Sequence, residues 1–406
     1  MIKTPLSTVI GGAFWIPEAT VINGAKLSFE IVMKKLFANG EQGFYQDPND
    51  LSTMFQDAAG TVPVTGVGQT VGLVLDKSKG LVLGVERLTN GDFSAGSAGW
   101  TVVGNDATHI ITFANGTMRY QSDTVTPVLV AQQNNTLTVG KWYEVTITIS
   151  NYVGGALKSD CFGGIIFPLS AGTYKLRAMA TSTTFNLLRQ TPNVDITIDS
   201  VSVKEIAGNH AYQTTSASRP ILRQNAITGA YYLEFDGSDD FLQTSSINFT
   251  ATDKVSLFAG VRKLSDAVTA IVCELSANLN NNVGCFYLAA PPGINVQRFG
   301  LVVKGNTLGN VESGTLPAPI SATLSTRIDL SSNKTNLRTN GVLTTNTSNF
   351  NGGNFGNHPL YVGRRGGASL PFNGHIYGLI GIGKLVSDNE TTAIEKELAK
   401  RLGVTI

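Results

Sequence analysis

The stretch GNHAYQTTSASRP, residues 208–220, opens on a Gly-Asn turn and runs into small and polar residues with no strand of its own before it. A candidate for the missing strand lies far upstream, in VGLVLDKSKG at residues 71–80. The chain between the two has the marks of a complete domain. It holds short apolar-alternating runs at HIITF, TMRYQS, KWYEVTITIS, GTYKLRAMA, TTFNLLRQ and DITIDSVSVKEI. In YEVTITIS, Val145, Ile147 and Ile149 fall on one face and Thr146 and Thr148 on the other, the period of a half-buried strand. Short strands with turns about every ten residues predict a β-sandwich.

A second series of strands runs from residue 208 onward, through YYLEFDGSDDFLQTS, KVSLFAGVRKL, AIVCELS, GCFYLAA, RFGLVVKG, ATLSTRIDL, PLYVGRRG and HIYGLIGIGK. Asn340-Gly341 in NLRTNGVLTT supplies the positive φ angles of a two-residue hairpin. Two helices flank the strands. Leu27, Ile31 and Leu36 with Phe29, Met33 and Phe37 predict one near 25–38, stopped by Asn39-Gly40 and packing on its own domain or on another subunit. Ser387 and Glu390 form a capping box for the other, with Ile394, Leu398 and Leu402 on its apolar face.

Charged residues make up 15% of the 406, with Lys+Arg 30 against Asp+Glu 29, so no basic stripe for nucleic acid is expected. No apolar run approaches the ~20 residues that span a bilayer. Pro5, Pro17 and the lack of a small-residue cleavage site argue against a signal peptide. Three cysteines, Cys161, Cys273 and Cys285, have no metal spacing and an odd count; Cys273 and Cys285, in apolar strand-like runs, read as small buried hydrophobes, and the chain is expected to fold in a reducing cytosol.

GNHAYQTTSASRPIL, YYLEFDGSDDFL, KVSLFAGVRKL and PLYVGRRGGASLPFNGHIYGLIGIG together resemble the concanavalin A-like (laminin-G-like) jelly rolls of tailed-bacteriophage virion proteins. In that family a stretch like LDKSGNGNHA is continuous, whereas this sequence leaves it at Gly80 and resumes at Gly208. LTNGDFSAGSAGW, GKWYEVTITI and IDSVSVKEI resemble carbohydrate-binding modules of the galactose-binding-like type. The resemblance therefore implies an all-β protein of two jelly-roll sandwiches: a concanavalin A-like domain split into 41–83 and 207–406, with a second domain, 84–206, inserted at a surface turn. Residues 1–40 are expected to be an arm, with a short helix, that docks on other virion proteins or sister subunits. The expected function is a non-enzymatic fibre, spike or decoration subunit at the virion surface, a homo-oligomer such as a trimer, holding bacterial surface polysaccharide. A depolymerase on the same fold is the alternative.

Sugar rings stack on aromatic faces. Trp100 and Trp142 read as core or edge residues, which leaves Tyr152 and the FNGGNFGNH loop, with Phe350, Phe355 and His358, as the expected exposed ligand contacts. Asp92 and Asp199, on the first and last strands of the insert, would hold a structural calcium as in the modules it resembles; no other cofactor is expected. Glu234 and Asp236 share a strand face like the carboxylates of a glycosidase, but Gly237-Ser238 turns the chain before a third carboxylate can follow. EFDGSDDF thus reads first as a turn, and second as a calcium site. His109, His210, His358 and His375 lack metal spacing, and Arg364-Arg365 reads as an exposed turn.

Overall fold

The computed structural model describes residues 8–10, 13–15, 28–126 and 128–406, and it is a protein of β-sheets. Strands between Leu83 and Ile206 pair with one another and form a five-stranded and a six-stranded sheet. Val145, Ile147, Ile149, Ile196, Ile198, Phe185 and Leu187 meet between these sheets in one core. This unit is the insert lobe. The strands before and after it make the large lobe, a nine-stranded sheet packed on an eight-stranded one. The large core includes Phe44, Val74, Ala211, Phe235, Leu257, Phe286, Leu324 and Leu360.

The two halves of the large lobe meet where the sequence breaks. Leu73–Val74 pairs with Ala211–Tyr212, Val74 opposite Ala211 and Leu73 opposite Tyr212. Asp76, fully buried, fixes the joint: its carboxylate accepts from the amides of Tyr45 (2.7 Å), Ser78 (2.8 Å) and Asn209 (2.7 Å) and from the Ser78 hydroxyl (2.8 Å). His210 Nδ1 accepts from the Asp76 amide at 2.8 Å, and Nε2 lies 3.2 Å from the Ile206 carbonyl. One buried carboxylate therefore ties both ends of the insertion to the strand Gly43–Gln46. Burial holds the His210 imidazole below its ordinary pKa, in keeping with an acceptor nitrogen facing an amide.

Two helices cover the outer face of the eight-stranded sheet. α1, Phe29–Leu36, is capped by Ser28 and buries Val32, Met33 and Leu36. These pack with Phe37 against Tyr45, Phe258, Ile380 and Ile382, and against Ile394 and Leu398 of α2, Asp388–Leu402. The helix expected in a docking arm thus packs on the large lobe, because its wide apolar face closes a second apolar cluster on the outer side of the eight-stranded sheet. Leu27 and most of the expected arm lie outside the described residues. α2 begins with the capping box of Ser387 and Glu390, ends at left-handed Gly403, and buries Ile394, Leu398 and Leu402. Buried Arg401 joins it to Asp47 at 2.7 Å. The Asn340-Gly341 hairpin forms with φ of 49° and 79°, between register partners Thr339 and Val342. The three cysteines are buried and free. No described helix is long and apolar enough to cross a membrane.

Candidate ligand-binding face

The two α-helices lie on the eight-stranded sheet, and neither lies on the outer face of the nine-stranded sheet. Residues in register form a row straight across it. Phe55 stands opposite Leu73, and Leu73 opposite Tyr212. Tyr212 then faces Gln243, Gln243 faces Tyr361, and Tyr361 faces Glu274. Glu274 stands opposite Tyr287, Tyr287 opposite Val302, and Val302 opposite Asn310. Their chain neighbours Leu242, Leu360, Val362, Leu275, Phe286, Leu288, Leu301 and Val303 all point into the large core. Period-2 alternation therefore places the whole row on the other side.

The insert lobe sits on one end of this row. Trp142 packs edge-on against Tyr212, ring centroids 5.5 Å apart, and against His210 at 5.6 Å. With Phe55, Leu73, Leu75 and Met179 it forms a separate apolar cluster between the lobes. The Arg177 guanidinium lies 4.7 Å over the Phe55 ring, and the Arg177 amide donates to the Ala59 carbonyl at 2.8 Å. Ser245 Oγ, on the strand Leu242–Asn248, lies 3.3 Å from the Gly140 carbonyl and 3.0 Å from Met179 Sδ.

Near the other end, fully buried Glu274 accepts from Arg365 Nε at 2.7 Å and from the Leu279 amide at 2.6 Å. The Arg365 guanidinium lies 5.1 Å over the Tyr287 ring. Burial raises the Glu274 carboxyl pKa, and Arg365 opposes that rise. Leu279 packs on Cys285, Val302 and Tyr287, and Lys304 Nζ donates to the carbonyls of Leu279 (3.1 Å) and Asn280 (2.6 Å). Between the two ends, half-buried Gln243, Tyr361 and Phe241 form the floor, with the Phe241 and Tyr361 rings 6.5 Å apart. Burial pushes the Tyr361 phenol pKa up, so it stays a neutral donor and acceptor.

The expected ligand residues are not on this face. Phe350 and Phe355 are buried in the large core, 0% and 1% exposed, and Phe355 packs edge-on against Phe286. The amides and glycines that made their loop read as exposed form its turns, while the two rings anchor it. His358 is half-buried, its Nε2 3.0 Å from the Val283 carbonyl. Tyr152 packs on the insert core and donates to the Gly155 carbonyl at 2.9 Å. Arg365, read as an exposed turn, is the partner of Glu274. Trp100 is a core residue, donating Nε1–H to the Asn90 carbonyl at 3.0 Å. The sequence reading missed Gln243, Tyr361 and Tyr287; apolar neighbours on both sides of Tyr361 and Tyr287 are the local signal that could have found those two as outward residues, though alternation could not have aligned their strands.

Asp92 is exposed and accepts from the Ser94 amide and hydroxyl at 3.3 and 3.0 Å, the arrangement of a turn-forming aspartate. Asp199 falls at a bulge, skipped between the pairs Thr148–Ser200 and Ile149–Ile198. Among the described residues, carboxylates gather instead at Asp236, Asp239 and Asp240, whose ligand atoms lie within 4.8 Å of one another. Here the strand Tyr231–Asp236 ends and Gly237 turns at φ 76°, with the Ser238 and Asp239 amides on Asp236 Oδ1. Asp240 Oδ2 accepts from the Asp236 amide, and burial with the charges of Asp236, Asp239 and Glu234 pushes its carboxyl up to about 7. The donor set suits a hard, oxygen-liganded cation, and the turn is also complete through its own hydrogen bonds. Glu234 lies on the other sheet and pairs with Arg223 at 3.1 Å.

No family model matches the chain. No curated protein matches it either. Among solved structures, the CBM40 module of Ruminococcus gnavus IT-sialidase bound to α2,3-sialyllactose is 16% identical over 38% of this chain and 97% of that one, with a TM-score of 0.30. A heptameric SAP-like pentraxin from Limulus polyphemus is 8% identical over 42% and 82%, at 0.33. The binding domain of botulinum neurotoxin serotype G is 10% identical over 45% and 47%, at 0.33. Likenesses this partial carry no information on ligand or activity.

Proposed function

We propose that this chain is a non-enzymatic binding protein that holds glycans on the open outer face of its nine-stranded sheet. The observation behind this reading is the floor of Phe241, Tyr361 and Gln243, flanked by the Arg365–Tyr287 stack. Aromatic faces take the apolar side of a sugar ring, and the amide, phenol and guanidinium offer donors and acceptors to its hydroxyls. The particle location rests on the sequence resemblance: a subunit displayed on the surface of a phage virion, joined to its neighbours by the segment before α1, with bacterial surface polysaccharide as the ligand.

Glu274 is the carboxylate nearest to an enzymatic role on this face. Its two oxygens are already engaged by Arg365 and Leu279, and no second carboxylate is paired with it among the described residues. A glycosidase needs two carboxylates flanking the scissile bond. The test is binding of the full chain to immobilised bacterial polysaccharides, with reducing-end release measured in parallel. Binding without release, weakened about tenfold in Tyr361→Ala, is expected; about tenfold corresponds to ~1.4 kcal/mol, within reach of one aromatic contact. Release of reducing ends that stops in Glu274→Gln would replace this reading with the depolymerase.

A further inference from the structure

We infer that the insert lobe and two loops turn the binding face into a short, dead-end groove, so that its ligand is a saccharide chain end or a short oligosaccharide rather than the interior of a polymer. The inference rests on the glycan-binding reading and adds to it the class of ligand.

A long chain crossing this sheet would follow the nine-strand row, and both directions are blocked. On one side the insert lobe covers the three strands that carry Phe55, Leu73 and Tyr212, and reaches Ser245 through Gly140 and Met179. On the other, Arg365 lies over Tyr287 and is pinned by Glu274, with Leu279 behind it on Val302. Lys304 and Glu274 hold that loop from both of its polar sides. The third side is closed by the loop after Val362. A Cβ at Gly367 would come within 2.7 Å of the Phe241 ring, and one at Gly366 within 2.5 Å of the Ala277 carbonyl, so this loop lies against both the floor and the Leu279 wall.

What stays open is the floor on the strands Leu242–Asn248 and Asn357–Val362, with its exit toward the register partners Ser246 and Pro359. Two adjacent strands give a floor roughly 10 Å wide, which suits one or two sugar rings. A ligand can enter by its end and extend out past Pro359; it cannot pass through. The wall that sets this limit on one side comes from the inserted lobe, which makes the insertion a determinant of ligand length.

The test uses the full chain and size-graded fragments, from one to eight sugar units, made by partial acid hydrolysis of O-chains and capsules from a panel of bacteria, with affinity measured by calorimetry. Affinity that levels off by two or three units, and that falls at least tenfold when the fragment's terminal ring is capped, supports the groove. Affinity that climbs steadily to eight units, or equal binding of capped fragments, overturns the dead end but leaves glycan binding intact. No binding by any fragment or parent polymer overturns the glycan-binding reading, and the inference with it.

Discussion

Asp76 and Asp240 show how one residue type does opposite things in burial. Asp76 satisfies four donors at the joint of the large lobe. Asp76→Ala leaves buried amides without acceptors and should cost roughly 3 kcal/mol, read as a lower denaturation midpoint in urea with the slope unchanged. Asp240 sits among like charges, with its folded pKa at about 7 against 3.8 for a free carboxyl. The folded chain then binds more protons than the unfolded one between those values, so this group's ionisation lowers stability as pH rises from about 4 through about 7. Asp240→Asn should raise the melting temperature at pH 8 and leave it unchanged at pH 4, measured by calorimetry. Calcium should raise the parent's melting temperature at pH 8 far more than the variant's if the Asp236–Asp240 turn takes a cation. At this scale the sequence was clear about the turn, where Gly237 follows Asp236, and silent about Asp76, two of whose four donors come from 31 residues before it and 133 after.

Among the elements, both helices and the hairpin were legible, but which of two surfaces α1 packs on, its own domain or another subunit, was not. The α2 capping box, the apolar face and the Asn340-Gly341 turn all depend on residues within one or two turns of chain. Ser387→Ala removes the cap's acceptor and should lower stability by about 1 kcal/mol, seen as a fall of about 2–4 °C in melting temperature. α1 has equally clear periodicity, yet the same apolar face serves a docking arm or a core equally well. What decides for the core is the set of side chains that close around α1, namely Phe258, Ile380, Ile394 and Leu398. All four lie more than 200 residues further along the chain, beyond the reach of any local pattern.

At the scale of the whole molecule, the insert lobe is docked on the large lobe, with Trp142 and Arg177 covering Phe55, Leu73 and Tyr212. Trp142→Ala empties the centre of that contact. Loss of a large buried aromatic costs about 3–5 kcal/mol in a core, and here the loss falls on the contact between two lobes that each keep their own core. The expected outcome is a calorimetric trace that splits into two transitions where the parent shows one. A single transition shifted to lower temperature would mean that the lobes unfold together without this contact.

The break at Gly80 and Gly208 was implied by the family resemblance; the residues by themselves determined the all-β class, the two strand series, the capped C-terminal helix and the burial of Cys273 and Cys285. Each of these follows from alternation, turn chemistry or spacing along a short length of chain. The tertiary structure decided which side chains share a surface. Phe350 and Phe355 became core because strands distant in sequence close over them, while Gln243, Tyr361, Glu274 and Tyr287 became one row because four strands pair in a particular register. Register is a property of strand pairs, and a single-residue slip would turn Tyr361 into the core. Alternation along one strand fixes which residues share a face, but only the packing of the two lobes fixes which face stays open.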